Sequence, residues 1–501
     1  MEPYMIRSSY KGGGGIGGGL GPICWTWRAK SSLLFLTAMV LSMMFIMGWE
    51  AAPLSILLFG IPARAEDSIP AAAVAASSSR AAADAATTSQ LAATAGGPVS
   101  CDYSSGKWVP ADDAAAAAEG SAAAAPRPLY SGKECSERWS WLTPEWACEL
   151  NNRPDLSYEQ FRWQPSNYAQ GCDLTPFHAH AFLERLRNKV LAFVGDSLAR
   201  QQYQSLMCMI TAGGKDDQIN MVVEDVGPDY GFQRANETRR AAGVANHFKA
   251  TNTTIIFYWS VTLCHEETLQ IELTKTKRKT LSLSSATAGS VALHLDQPVR
   301  FIRDYFAKFD VLVLNSGHHW NNGKMQLNKW QSYVNGHPVT PTDDLNVISN
   351  AYKFAMNATV RWVSERIDNT TNHKQVFYRT ISPRHFRNGD WNTGGTCDSI
   401  SFEADKNVTV PQQGVIVRDL VAENAVVGTN VQLLNITFLS QSRGEAHISK
   451  YGRSNHATQD CLHWCLPGIP DTWNEILFTH ISDKYQELAN YTFNDLDSSR
   501  S

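Results

Sequence analysis

Lys189–Ser197 reads KVLAFVGDS, and the LARQQYQSLMCMI that follows has helical spacing. An unbroken apolar run closing on Gly-Asp-Ser is the signature of a strand buried on both faces that turns sharply into a helix. Four further stretches have the same character: Thr254–Trp259 (TIIFYW), Phe309–Leu314 (FDVLVL, running into Asn315-Ser316-Gly317-His318-His319-Trp320), Gln375–Thr380 (QVFYRT, running into ISPRHF) and Val431–Ile436. Helical patterns at Asn350–Ile367 and Gln412–Glu423 separate them. Apolar strands alternating with helices predict an α/β fold, a parallel sheet covered on both faces in three layers. In such folds, polar residues at the carboxyl ends of strands line the ligand crevice.

Ser197 stands at that end. Serine there has two readings: an N-cap, for which it is a preferred residue, or a nucleophile beside helix N-terminal amides that face a developing oxyanion. Asp460-x-x-His463 favours the second. On a turn or a first helical turn this spacing brings carboxylate and imidazole to one cleft, the carboxylate orienting the base that deprotonates serine. Cys461 and Cys465 flank His463, and bridged to separate partners they would brace the base. Asn315, beyond FDVLVL, is the candidate second oxyanion donor beside the Ser197 amide. His318 and His319 read as loop packing or substrate contacts, because two adjacent histidines without further ligands make no metal site. No metal and no bound cofactor are expected: neither a phosphate-binding glycine loop nor a dinucleotide fingerprint occurs.

Composition places this chemistry. The 501 residues carry 44 basic and 48 acidic side chains, a formal charge of −4, which supplies no field for nucleic acid. Residues 1–30 are polar and glycine-rich with Lys11, Arg28 and Lys30, and read as a cytosolic tail. Residues 31–61 are apolar apart from Glu50, long enough for one transmembrane helix, with Glu66 and Asp67 beyond. The charge order predicts a signal anchor with the chain's bulk in the lumen. Ala63-Arg64-Ala65 is a poor site for the cleaved alternative. Residues 62–100, rich in alanine, serine and threonine, read as a flexible stem. The folded region is expected over 101–501, with an aromatic- and cysteine-rich lobe at about 130–178. Nine cysteines follow the anchor, so at most four bridges form. The sequons at Asn236, Asn252, Asn357, Asn369, Asn407, Asn435 and Asn490 all lie on the same side.

FVGDS, NSGHHW and DCLHWCLPGIPDTWNE (Asp460–Glu475), with CDYSSGKWV, PLYSGKEC, NNRPDLSYEQFRWQP and YRTISPRHFRNGDWNTGGTCD, resemble the plant trichome birefringence-like family of polysaccharide O-acetyltransferases. The domain of that family resembles SGNH/GDSL esterases. The resemblance runs from Cys101 to Glu475. It implies a Golgi enzyme with a single N-terminal anchor (type II, catalytic domain lumenal). The chemistry implied is acetyl transfer through an acetyl-serine onto hydroxyls of a cell-wall glycan, xylan first. Partners implied are that polysaccharide and an acetyl donor or acetyl-donating membrane protein. By motif match Ser197 is the nucleophile, Asp460 and His463 its partners, and Asn315 an oxyanion donor; His318, His319, Trp320 and Arg384 are substrate-binding candidates. The loop departs from the family's GHWW-like pattern at His318-His319-Trp320, and Cys264 replaces a commonly aliphatic residue. The oxyanion glycine of SGNH enzymes stays open among Gly227, Gly231 and Gly243. Cys397, in the family-like GGTCD, is expected to pair with Cys461, and Cys465 with an N-terminal cysteine. Cys101, Cys135, Cys148, Cys172, Cys208, Cys397, Cys461 and Cys465 form four bridges in this reading, leaving Cys264 unpaired. A polysaccharide acetylesterase and a non-catalytic glycan-binding protein are the competing readings.

Overall fold

The computed structural model describes residues 101–111, 127–211, 221–232, 242–269, 290–367, 374–401, 413–452 and 458–498. The expected tail, anchor and stem, and the sequons at Asn236, Asn369 and Asn407, lie outside them. No helix of the described residues is long and apolar enough to cross a membrane.

Seven strands form the central sheet: β1 (Val190–Gly195), β2 (Val223–Asp225), β3 (Gly243–Phe248), β4 (Thr253–Trp259), β5 (Val311–Leu314), β6 (Gln375–Arg379) and β7 (Gln432–Leu434). Their spatial order is β7-β6-β5-β1-β4-β3-β2. All five apolar runs of the sequence are strands, and they pair in parallel. β3 and β2 make the sheet mixed, correcting the expectation of a wholly parallel one. The reason is local: the link from Phe248 to Thr253 is too short for a crossover, so it closes a hairpin, which only antiparallel strands permit. Asn252, at φ 51°, sits in that turn with its side chain exposed.

Alternate residues of β1 go to opposite faces. Leu191 and Phe193 belong to one core, Ala192 and Val194 to the other, and all four are fully buried. The first core is closed by α1 (Ser197–Thr211) and α4 (Ile469–Ser498), the second by α2 (Ile348–Ser364) and α3 (Gln413–Val426). Helix α2 turns Ala351, Tyr352, Ala355, Met356, Thr359, Val360 and Val363 inward, a stripe at helical spacing. Each large apolar side chain so buried contributes about 1.5–3 kcal/mol. These are the three layers that the strand pattern demands.

Two smaller sheets frame the site. Gly106–Pro110 pairs with Phe161–Pro165 in the N-terminal lobe, setting Trp108 against Trp163. His447–Ser449 pairs with Asp460–Trp464. A four-stranded sheet of Cys264–Thr268, Val291–Pro298, Trp330–Val334 and His337–Pro338 was not evident in the sequence. Disulfides join Cys101 to Cys172, Cys135 to Cys208, Cys148 to Cys465 and Cys397 to Cys461. Cys264 is free and buried, and burial pushes its thiol far above the usual range.

Candidate active site

Among the five parallel strands, β1 is first in the chain but second in space, between β4 and β5. Strand order reverses there, so the chain leaves β1 and β5 on opposite sides and opens a crevice at their carboxyl ends. Ser197 follows β1 and Asn315 follows β5.

The turn after β1 is held by Asp196, which is buried at 1% exposure. Its Oδ1 accepts the Leu198 N–H at 3.0 Å and an Asn315 Nδ2 hydrogen at 2.8 Å. Asp196 therefore caps α1, and the capping reading of Ser197 gives way: the Ser197 hydroxyl lies 2.7 Å from Nε2 of His463. Burial works against the Asp196 charge, but His319, His318, buried Arg379 and the Asn315 amide together hold its carboxyl below the usual range. Arg379 donates to the Leu198 carbonyl and the Gln202 amide oxygen, and burial lowers its guanidinium to about 10. Gly195 is a steric necessity. A Cβ there would fall 2.0 Å from Asn315 Oδ1.

Asp460 and His463 lie on a strand, not on a turn or helix as the spacing suggested. Residues three apart on a regular strand face opposite ways, yet here they meet, because the ladder is irregular. His447 pairs with Trp464 and Ser449 with Asp460, so four steps on one strand face two on the other. The slack wraps around the carboxylate: Asp460 Oδ1 accepts the Leu462 and His463 N–H groups at 3.1 and 3.0 Å, and Oδ2 lies 2.8 Å from His463 Nδ1. Burial opposes the Asp460 charge, but the His463 imidazole and those two N–H groups outweigh it and hold the carboxyl well below the carboxylate range. In turn burial would lower the His463 imidazole, and Asp460 raises it above its ordinary value. The two side chains keep 37% and 20% exposure, enough for a substrate to reach them.

Gln201 and Arg200 were not singled out from the sequence, and Trp146 only as one of the aromatic residues of the N-terminal lobe. Gln201, one helical turn after Ser197, donates to the Trp464 carbonyl at 2.7 Å and accepts the Trp464 N–H at 3.1 Å, tying α1 to the residue after His463. The N-terminal lobe supplies Trp146, whose ring stacks on His463 at 5.7 Å, and the Arg200 guanidinium lies over that indole at 4.7 Å. Of the other substrate-binding candidates, His318 donates through Nε2 to the Ser382 carbonyl at 2.8 Å, while His319 stands edge-on to Trp259, its imidazole lowered by burial. Arg384 pairs with Asp390 at 3.1 Å. Trp320 is buried against Tyr352, with its indole N–H given to Ser316. Among the glycines left open, Gly243 is crowded by Phe232 and Phe257, and Gly231 has φ 75°; each has a local reason to be glycine. Among the described residues no three His, Cys, Asp or Glu side chains are grouped to hold a metal.

Residues 174–480 match the model of the PC-Esterase family, described as GDSL/SGNH-like acyl-esterases found in Pmr5 and Cas1p. Residues 99–173 match the PMR5 N-terminal domain. Protein trichome birefringence-like 14 of Arabidopsis thaliana is 42% identical over 394 residues, spanning 76% of this chain and 86% of the relative. The chain belongs to the trichome birefringence-like PC-esterase family. Another family member, protein trichome birefringence-like 15 of the same plant, is 39% identical over 71% of this chain and 68% of its own length. Xylan O-acetyltransferase 14 of Oryza sativa subsp. japonica is 30% identical over 76% and 77%. Membership makes this chain an enzyme of acyl-ester chemistry. The fold agrees: an α/β domain with a mixed sheet and several disulfides is the GDSL/SGNH-like architecture.

Proposed function

We propose that this family member is a polysaccharide O-acetyltransferase that carries acetyl on Ser197 and passes it to sugar hydroxyls of a plant cell-wall glycan, xylan first. The continuous run of contacts from Asp460 through His463 to Ser197, at 2.8 and 2.7 Å, carries this reading. His463 Nε2 takes the Ser197 proton as Oγ attacks the acetyl carbonyl. The oxyanion is met by the Ser197 amide and by Asn315, whose side chain Asp196 aims through one of its two Nδ2 hydrogens. Collapse expels the donor's leaving group with the proton from His463. The acceptor hydroxyl then gives its proton to His463 as its oxygen attacks the acetyl-serine, and breakdown restores Ser197. Stacked Trp146 and the Asp460 contact keep the imidazole in one orientation through both halves.

Xylan as acceptor is supported by the name of the rice relative. A Golgi membrane location, type II with the catalytic domain lumenal, is supported by the apolar segment at residues 31–61 and the charges around it. The test offers the full-length protein a soluble acetyl ester and unacetylated xylo-oligosaccharides, with mass spectrometry of the sugars. Acetylated oligosaccharides that vanish with Ser197→Ala are expected. Acetate release without transfer makes the protein an acetylesterase, and transfer by Ser197→Ala sinks the proposal.

A further inference from the structure

Behind the His463 strand lies a second pair of imidazoles that acyl transfer does not use. His447, fully buried, approaches the main-chain oxygen of His463 through Nδ1 at 3.0 Å. Its Nε2 lies 2.7 Å from Nδ1 of His385, and Nε2 of His385 lies 2.8 Å from the Gln441 carbonyl oxygen. All four ring nitrogens are thus engaged in three contacts. The two outer partners are carbonyl oxygens, which only accept, so each outer nitrogen carries a hydrogen. The inner contact joins two nitrogens, and one of these must carry a hydrogen for the other to receive. That makes three hydrogens, one more than two neutral imidazoles hold.

We propose that His447 is a positioning residue for His463, and that it grips the His463 main chain by sharing one extra proton with His385, the two rings carrying a single positive charge. Its effect on rate rests on the reading of His463 as the base; the shared proton does not. The surroundings fit a cation. The His447 ring lies flat on the Trp464 indole, centroids 3.9 Å apart at 20°, and a π face attracts positive charge. Asp460, on the paired strand, favours the charge; His463 on that strand and Arg387 beyond His385 oppose it. Arg153, from the N-terminal lobe, donates to the His447 carbonyl at 2.7 Å, and the Arg443–Glu445 ion pair on the preceding turn is neutral in sum. Burial draws both imidazoles down, His385 to about 4 and His447 well below its ordinary value. Against it stand the hydrogen bonds. A neutral pair would turn a nitrogen lone pair onto a carbonyl oxygen at 3.0 Å or less, or two lone pairs onto each other at 2.7 Å. Such a clash in a buried site outweighs the desolvation of a charge spread over two rings.

The two outcomes have opposite signs in stability. A shared proton raises the folded-state pKa above the unfolded value near ~6.5, so its stabilisation is full below that pH and is lost as pH rises through the folded value. A neutral pair has a depressed folded pKa, and its contribution is lost on acidification. The experiment follows thermal unfolding of the full chain and of His385→Gln from pH 8 to pH 5.5. A glutamine amide donates to His447 Nε2 and removes the need for the extra proton. The Tm advantage of wild type should widen on acidification, by roughly 2–4 °C per pH unit over which the proton is taken up. An advantage that narrows, or stays flat, overturns the shared proton. If His385→Gln does not fold, imidazole 15N resonances of the histidine-labelled full chain at neutral pH give the count directly, and two neutral rings overturn it. For the positioning role, His447→Leu should lower kcat with KM little changed, and wild-type transfer should decline on the alkaline side where His385→Gln does not. An alkaline limb unchanged in His385→Gln defeats that role. An enzyme without transfer activity leaves the stability result standing, so the two failures are distinct.

Discussion

Asp460 has three tasks at once: its Oδ2 meets the imidazole, and its Oδ1 gathers two N–H groups of the same bulged strand. Because Asp460 raises the imidazole above its ordinary value while burial lowers it, the acid limb of the transfer rate should lie above the ordinary histidine pKa near ~6.5. The base works only when neutral, so activity rises with pH through that value. Asp460→Asn leaves burial in charge. Its acid limb should move below ~6.5 while the rate falls by about 10³–10⁴-fold, both read from a pH–rate profile. At Gly195 the constraint is purely spatial, since a methyl group would displace the Asn315 side chain that Asp196 orients. Gly195→Ala should cost on the order of 10²–10³-fold in kcat, similar to Asn315→Ala, with the double variant scarcely worse than either. Asp460 and His463 were legible as a pair through their three-residue spacing, whereas Ser197, with a capping reading beside it, stood out by its place between strand and helix and by motif match. Gln201 and His447 were not legible. Gln201 meets main-chain groups 263 residues away, and His447 meets the His463 main chain and the His385 ring 62 residues away, relations no spacing records.

At the scale of elements, the proposed mechanism requires β1–α1 and the Asp460–Trp464 strand to be fixed to one another, since it draws Ser197 from one and His463 from the other. Gln201 makes that link by imitating a backbone pair toward Trp464. Gln201→Leu would leave a buried N–H and C=O without partners, a cost of about 1–3 kcal/mol each, and free the strand to shift. Displacement of about 1 Å is worth on the order of 100-fold in rate, so kcat should fall by that order with KM nearly unchanged. A variant that loses stability by thermal unfolding yet keeps kcat would show that the link is only structural. Strand legibility follows burial. The five parallel strands are covered on both faces and read as unbroken apolar runs. The antiparallel strands β2 and β3 carry exposed and polar residues (VED, GVANHF), and the four-stranded sheet includes CHEET and WQSYV, so neither shows an apolar run. The spacing of Asp460 and His463 suggested a turn because regular strands cannot bring such residues together; the bulge that permits it has no sequence mark.

Across the molecule, the N-terminal lobe is bound to α1 by the Cys135–Cys208 bridge, and the His463 strand with the residues beside it is held by further links. Cys148 bridges to Cys465, the Leu466 N–H meets the Trp146 carbonyl, Arg153 donates to the His447 and Glu445 carbonyls, and Cys397 holds Cys461. The sheet needs none of these, being closed by helices on both faces. Graded reduction of the full chain should therefore abolish transfer at reductant concentrations that leave far-ultraviolet circular dichroism unchanged, with Cys148→Ser reproducing the loss. Parallel loss of both signals would mean that the bridges hold the whole domain. Passage of acetyl through Ser197 is read by acid quench of the full-length protein with a soluble acetyl ester and no acceptor, followed by peptide mass spectrometry. One acetyl group is expected on the peptide bearing Ser197, absent in Ser197→Ala, retained while no acceptor is present and discharged when xylo-oligosaccharide is added. Transfer that proceeds with Ser197 never acetylated would contradict that passage.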